Sequence, residues 1–341
     1  MTDETAGLPS TGLHSNWAEA DFAELAAIRD EVVSLARTVA VTGDGDPDPA
    51  ADRVHRSVAR LILGRLSNPL SGYASPAGWS ALADVVIGAF GSAWGDAIAS
   101  RVAGQLPAEP MAPADFPAYV REVACAAPCA AGHPVYAFAA EQASREQLAA
   151  FLEAKNLTDM NFVNFLTLLM PGADGEPAAE MASNLWDELG HGTVTRFHRN
   201  IRKELMRNAG LVVPATGFDL GTCMLEEVEH FNAYALNGLV RRFSLRLVGM
   251  LFANEFLAPV QLAPVIEGWR RVGLADSQME FLISHYEGDI KHANGWADRV
   301  VAPSLDGTPD AQREVLIGVH QHIAVLSRLY DSLLEGLSAG S

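Results

Sequence analysis

Strand signals are almost absent from these 341 residues. No run alternates Val, Ile or Thr with polar residues between hairpin turns. Apolar positions recur at helical spacing instead. Residues 19–41 (EADFAELAAIRDEVVSLARTVAV) carry such a stripe, and GDGDPDPAAD then breaks it as a loop. A second helix follows Asp52 through VHRSVARLILGRL, SNPLSGYASPAG reads as a turn, and 79–105 reads as a long, mostly buried helix. QLPAEPMAPADFP, with four prolines, is the best linker candidate. Beyond it the pattern predicts helices over 116–126, 143–155, 158–170, 177–189, 193–209, 221–256, 261–271, 276–301 and 309–337, with Gly and Pro clustered between them. The predicted fold is all-α: an N-terminal helical segment over 1–112, then a bundle of seven to eight helices over 113–341.

Composition narrows the function classes. Against 24 Lys+Arg stand 42 Asp+Glu, a formal net charge of −18, which repels nucleic acid and anionic membranes. The N-terminal MTDETAGLPS lacks the basic and apolar regions of a signal peptide. No run reaches the roughly 20 apolar residues of a membrane span; the most apolar stretch, ALADVVIGAFGSAW, already contains Asp84. A cytoplasmic location is expected. Cys125 and Cys129 form CAAPC, but with no second pair and alanine neighbours they read as structural.

The chemistry-bearing stretch is HYEGDIKH, residues 285–292. At about 100° per residue, His285, Asp289 and His292 fall within an arc of roughly 60°, spread along about 10 Å of one helix. Two imidazoles and a carboxylate facing one way suit a divalent metal, or two close together. A solvated polar stripe is the alternative, with Glu287 and Lys291 nearby; the apolar flanks (Phe281, Leu282 and Ile283 before, Trp296, Val300 and Val301 after) oppose it.

Helical bundles build metal sites from inward side chains on several helices. In NLWDELGHGTVTRFH, Glu188 follows Leu185 and Trp186, and His198 comes ten residues later. On a regular helix the two stand about 80° apart; Gly190 and Gly192 permit a break that would correct this. Glu188 with His191 makes an ExxH pair, as does Glu227 with His230 in LEEVEHF. In MLFANEFLAP, Glu255 sits among Leu251, Phe252, Phe256 and Leu257, where a carboxylate must be paired or bound to a cation. Arg241, Arg242 or Arg246 would be its salt-bridge alternative. Two assignments compete. One takes the two ExxH pairs, as in ferritin-like diiron bundles. The other takes Glu188, His198, Glu255, His285, Asp289 and His292, three carboxylates and three histidines suited to two irons with open positions. The second accounts for more of the unusual residues.

The chain resembles the haem-oxygenase-like diiron oxidases, or iron-containing redox enzymes. The likeness runs from AGHPVYAF to the C-terminal helix and rests on NLWDELGHG followed by FH, then NEFLAP, RRVGL and HYEGDIKHANGW. It implies a haem-oxygenase-like bundle with Glu188, His198, Glu255, His285, Asp289 and His292 as iron ligands, Glu188, Glu255 and Asp289 being the catalytic carboxylates. Two non-haem irons and O2 as co-substrate are implied, with a small-molecule substrate and an electron donor. Relatives carry an acidic residue in a stretch like FLEAKNLTDMNF; here Lys155 stands at that place, and Asp159 or Glu153 is the substitute, with Asp159 as the extra candidate ligand. The implied reaction is N-oxygenation of an amine or amino-acid-derived substrate in specialised metabolism, with C–C cleavage or desaturation of an amino acid or fatty acid as the alternative. One of Arg241, Arg242 and Arg246 is a candidate anchor for a substrate carboxylate, pairing with surface acids being the other reading. A non-catalytic helical binding protein is the reading of a different class. Haem binding is not expected, since the only nearby histidine, His133, reads as a helix start. The N-terminal helices resemble a dimerisation element appended in some relatives, so a homodimer is expected by analogy.

Overall fold

The computed structural model of the chain describes residues 22–41, 49–66, 79–213, 218–305 and 310–339. The turn expected over SNPLSGYASPAG and most of the loop expected over GDGDPDPAAD lie outside them. Among the described residues there is no strand. The helices are α1 (Phe22–Val41), α2 (Pro49–Arg65), α3 (Trp79–Val102), α4 (Phe116–Cys125), α5 (Pro134–Glu141), α6 (Arg145–Glu153), α7 (Asn156–Asp159) and α8 (Phe162–Leu169). They continue with α9 (Gly175–Glu188), α10 (His198–Asn208), α11 (Leu225–Leu239), α12 (Ser244–Arg271), α13 (Glu280–Gly295), α14 (Ala302–Ser304) and α15 (Ala311–Ala339).

Local signals start several of these helices as expected. Ser144 and Gln147 form a reciprocal capping box on α6, Ser144 Oγ accepting from the Gln147 N–H and Gln147 Oε1 from the Ser144 N–H at 2.8 Å. His133 caps α5: its Nδ1 accepts from the Val135 N–H at 3.1 Å, with Pro134 in the first turn.

The architecture centres on α12, which packs against α15, α13 and α5. Its contact with α15 is backbone to backbone. A Cβ on Gly249 would lie 2.0 Å from the Val315 carbonyl oxygen, and one on Gly318 would lie 1.9 Å from that of Arg246. Burying α12 this deeply is what sinks Glu255 into the interior. The N-terminal α2 and α3 pack on α11, and Val58, Phe90 and Trp94 share one hydrophobic cluster with Phe231, Leu251 and Val315.

Three helix boundaries differ from the sequence reading. The expected 221–256 helix is two: α11 ends at Leu239, Val240 leaves helical geometry (φ −90°, ψ 89°), and α12 begins at Ser244. Gly238 stands in the last turn before this corner, and arginines hold it, Arg241 donating to the Leu168 and Pro171 carbonyls and Arg242 pairing with Asp96. Conversely, the expected break before 261 does not occur. Pro259 and Pro264 lie inside α12, each removing one N–H donor, while packing on α13 and α15 carries the helix through. The expected 193–209 helix begins only at His198. Two helices, Ala81–Gln105 and Arg241–Arg271, are long and apolar enough to cross a membrane by length and composition, which revises the sequence reading; 56% and 67% of their most apolar windows are buried against the rest of the bundle.

Two buried histidines belong to this core. His55 lies edge-on to Phe90 and Trp94, and His322 Nδ1 is 3.1 Å from the Tyr234 hydroxyl. Burial, assisted by the positive charges of Arg328 and Lys155 respectively, presses both down to about 3, against about 6.5 for an unfolded histidine. Each binds its proton only on unfolding, so its contribution is present above about pH 6.5 and lost as pH falls towards 3. His322→Gln is therefore expected to lose less stability than the wild type between pH 7.5 and 5, measured as the shift in urea midpoint. Gly249→Ala is expected to destabilise by about 1–3 kcal/mol through overpacking at α15, measured by urea denaturation at constant pH.

Candidate metal centre

The last turn of α9 delivers Glu188 to the interior, and the chain then leaves the helix abruptly. Gly190, His191 and Gly192 all have positive φ (55°, 53° and 79°). A Cβ at Gly190 would lie 2.4 Å from the Arg196 backbone, so only glycine fits there. These three residues form one short 3₁₀ turn, and a second (Val194–Arg196) and an extended Phe197 (φ −54°, ψ 129°) follow, placing His198 as the first residue of α10. This break removes the 80° mismatch of a regular helix: His198 Nδ1 comes to 3.0 Å from Glu188 Oε1.

His285, on α13, completes this first group, its Nε2 3.8 Å from Glu188 Oε1. Its Nδ1 sits 2.7 Å from the Phe281 carbonyl, so that nitrogen is the donor and Nε2 presents its lone pair inward. The His198 and His285 rings stand 4.4 Å apart, with Phe281 packed on His285 and the Arg202 guanidinium over Phe281 at 5.0 Å. Burial, with the charges of His198, His292 and Arg202, holds His285 well below the usual histidine range.

One and two turns further along α13, Asp289 and His292 meet Glu255 of α12. His292 Nδ1 lies 3.4 Å from Glu255 Oε2 and 3.6 Å from Asp289 Oδ1. Asn184, one turn before Glu188 on α9, donates to Glu255 Oε1 at 3.4 Å. Burial and the neighbouring Glu255 and Glu188 charges push Asp289 well above the carboxylate range. For His292 burial works the other way, yet the carboxylates of Asp289, Glu255 and Asp187 around its ring push it up to about 11.

Glu188–His198–His285 and Glu255–Asp289–His292 are thus two groups, each with its donor atoms within 4.8 Å of one another. Glu188, Glu255 and Asp289 are all buried, and among the described residues none of them has a Lys or Arg within ion-pair reach. His198 Nδ1 and Glu255 Oε2 are buried without a hydrogen-bond partner. Close contacts without hydrogen-bond alignment are the arrangement expected of donors that converge on a cation, and the mixed imidazole–carboxylate set suits iron.

The competing ExxH assignment is not assembled. His191 Nε2 turns to Asp187 Oδ1 at 2.8 Å. Glu227 accepts from the Leu157 N–H and is pushed up to about 8 by burial, while His230 Nδ1 is 3.4 Å from Thr158 Oγ1. Asp159 is outside both groups, held 2.8 Å from Arg202. The arginines offered as salt-bridge partners of Glu255 or anchors for a carboxylate are engaged elsewhere: Arg241 with carbonyls, Arg242 with Asp96, and Arg246 with Glu314 at 2.6 Å. Cys125 is exposed and Cys129 buried, both as free thiols. Sequence reasoning did not single out Asn184 or Asp187; the signal for Asn184 was its i, i+4 relation to Glu188.

A family model described as iron-containing redox enzyme matches residues 149–326, a little over half of the chain. The chain belongs to the iron-containing redox enzyme family. The all-α fold is that of its haem-oxygenase-like members, and all six converging residues lie inside the matched span. No curated protein matches the chain.

Burial and the Glu255 and Glu188 charges raise the folded-state pKa of Asp289, so at neutral pH its ionisation favours the unfolded chain. Asp289→Asn is expected to stabilise the metal-free protein, more at pH 7 than at pH 4, while removing metal uptake at its group, checked by thermal denaturation alongside metal analysis.

Proposed function

We propose that this member of the family is a non-haem diiron oxygenase that uses O2 to oxidise a small metabolite. The observation that carries the reading is the pair of donor groups that α13 joins, one half-buried and one buried, with His198 Nδ1 and Glu255 Oε2 lacking a hydrogen-bond partner. Glu188, His198 and His285 would hold one iron, and Glu255, Asp289 and His292 the other. Bound iron supplies the electrons and open positions at which O2 is activated. The chain's own part is placement. α13 spaces the two groups along one face, α9 and α10 bring Glu188 and His198 to the first and α12 brings Glu255 to the second, and buried Phe281 packs on His285.

N-oxygenation of an amine or amino-acid-derived substrate is the favoured reaction. Its support is electrostatic: a chain of net charge −18 draws cations, and the arginines that would grip a free carboxylate are occupied. A C–C cleaving oxidase acting on an amino acid or fatty acid is the second outcome that product analysis distinguishes. Electrons come from an external donor.

Anaerobic Fe(II) titration of metal-free protein is expected to show uptake approaching two irons per chain, with O2 consumption on exposure to air. His285→Ala is expected to lower the stoichiometry and abolish O2 consumption. No stoichiometric uptake, or uptake unchanged in that variant, would sink the assignment and favour a non-catalytic binding protein.

A further inference from the structure

α12 and α13 each carry a second stripe of side chains, one residue on from their donors. Tyr286, Ile290 and Ala293 follow His285, Asp289 and His292, and Phe256 follows Glu255, with Val260 and Ala263 one and two turns beyond it. At about 100° per residue, such a stripe faces the side next to the donors. These six side chains line a single cleft of about 460 Å³, within the roughly 300–1,000 Å³ of small-ligand sites. The cleft therefore runs along the α12–α13 pair beside the Glu255–Asp289–His292 group.

Its walls are apolar and open to solvent. Val260, Tyr286 and Ile290 are 44%, 39% and 52% exposed, three of the six large hydrophobic side chains exposed among the described residues. Gathering them in one place is unfavourable in water and marks a surface that something covers. One charged side chain lines the cleft, Arg121 of α4. Its guanidinium lies over Phe256 at 5.4 Å and makes one hydrogen bond, to Asn294 Oδ1 at 2.9 Å. Its Nε is buried without a hydrogen-bond partner, and among the described residues no carboxylate is paired with it. Arg121 thus differs from Arg241, Arg242 and Arg246, which are engaged elsewhere.

A guanidinium presents five N–H donors in a planar fork that matches a carboxylate. An ammonium head has no counterpart here: no Asp or Glu lines the cleft, and Asn294 Oδ1 already accepts from Arg121. Resting on the diiron reading above, we propose that this cleft is the substrate site and that the substrate is a carboxylate with an apolar body. The body lies along Phe256, Tyr286 and Ile290, and the carboxylate is held by Arg121. Of the amine and amino-acid-derived substrates, this selects an amino-acid-derived one that keeps its carboxylate and carries a large apolar group.

The probes are 3-phenylpropanoate, 3-phenylpropanamide and 3-phenylpropylamine, which share one body and differ in the head. Calorimetric titration of the metal-free full chain is expected to show the carboxylate binding tightest. Arg121→Gln should weaken it by about 10–100-fold and leave the amide unchanged. Val260→Trp, which fills the cleft, should weaken carboxylate and amide alike. In Co(II)-loaded protein the carboxylate should shift the visible ligand-field bands, because the cleft adjoins a donor group; unshifted bands at saturation would overturn the substrate role. Thermal denaturation checks the fold of each variant, and should Arg121→Gln fail to fold, the head-group comparison in the wild type decides. Equal binding of the three heads, carboxylate binding unchanged in either variant, or no binding at all would overturn the inference. So would a change of oligomeric state in Val260→Trp on analytical ultracentrifugation, which would assign the cleft to a second copy of the chain. All of these leave Fe(II) uptake, and the diiron reading, standing. Carboxylate binding without iron uptake by the wild type would instead overturn the diiron reading and leave the cleft a carboxylate site.

Discussion

Three carboxylates buried in one helical bundle, with imidazoles rather than lysine or arginine beside them, are the condition to which the rest of the structure answers. An ionised carboxylate taken out of water is strongly unfavourable unless a cation compensates it. Glu188, Glu255 and Asp289 come from three different helices, so the penalty acts on the packing of α9, α12 and α13 together. The glycine-mediated contact of α12 with α15 drives Glu255 inward. The break after Glu188 turns His198 back towards it. Both features are expensive locally and make sense only as ways of bringing donors together.

The register of α9 against α13 is fixed at two separated points. Near the start of α9, Glu180 occupies the space that a Cβ on Gly295 would need, 1.9 Å from Oε1, and pairs with Arg299 at 3.2 Å. Near its end, Asp187 meets His292. Between these points lies Asn184, which donates to Glu255, and directly after the second comes Glu188, which faces His285. Immediately after α13 the chain adopts a π turn over Trp296–Val301. Such turns recur at functional sites, and here the wider turn follows the helix that carries three of the six donors. Two clamps on one helix pair constrain sliding and rotation alike.

What could be read in the sequence follows from which forces act locally. The all-α class, most helix centres and the ligand face of α13 depend on 3.6-residue periodicity, and HYEGDIKH displays it within eight residues. The split at Val240 and the passage of α12 through two prolines depend on distant partners, Asp96 and α15 among them, that no local pattern encodes. Gly190 and Gly192 announced a break after Glu188, but not that His191 would adopt positive φ or point at Asp187. Asp187 itself was hidden because it acts through His292, 105 residues away. Residues that hold ligands carry no spacing rule of their own; only the fold brings them together.

The same geometry explains how the bundle tolerates its buried charge without metal. His292 is pushed up to about 11, so in the metal-free protein it is an imidazolium lying between Asp187 on one side and Glu255 and Asp289 on the other. A proton stands where a cation would otherwise compensate the acids, and burial with the Glu255 and Glu188 charges pushes Asp289 well above the carboxylate range. In the first group His285 is pressed in the opposite direction by burial and the charge of His198. Compensation is thus concentrated where two carboxylates meet, and Asp187 faces the far side of the same imidazole.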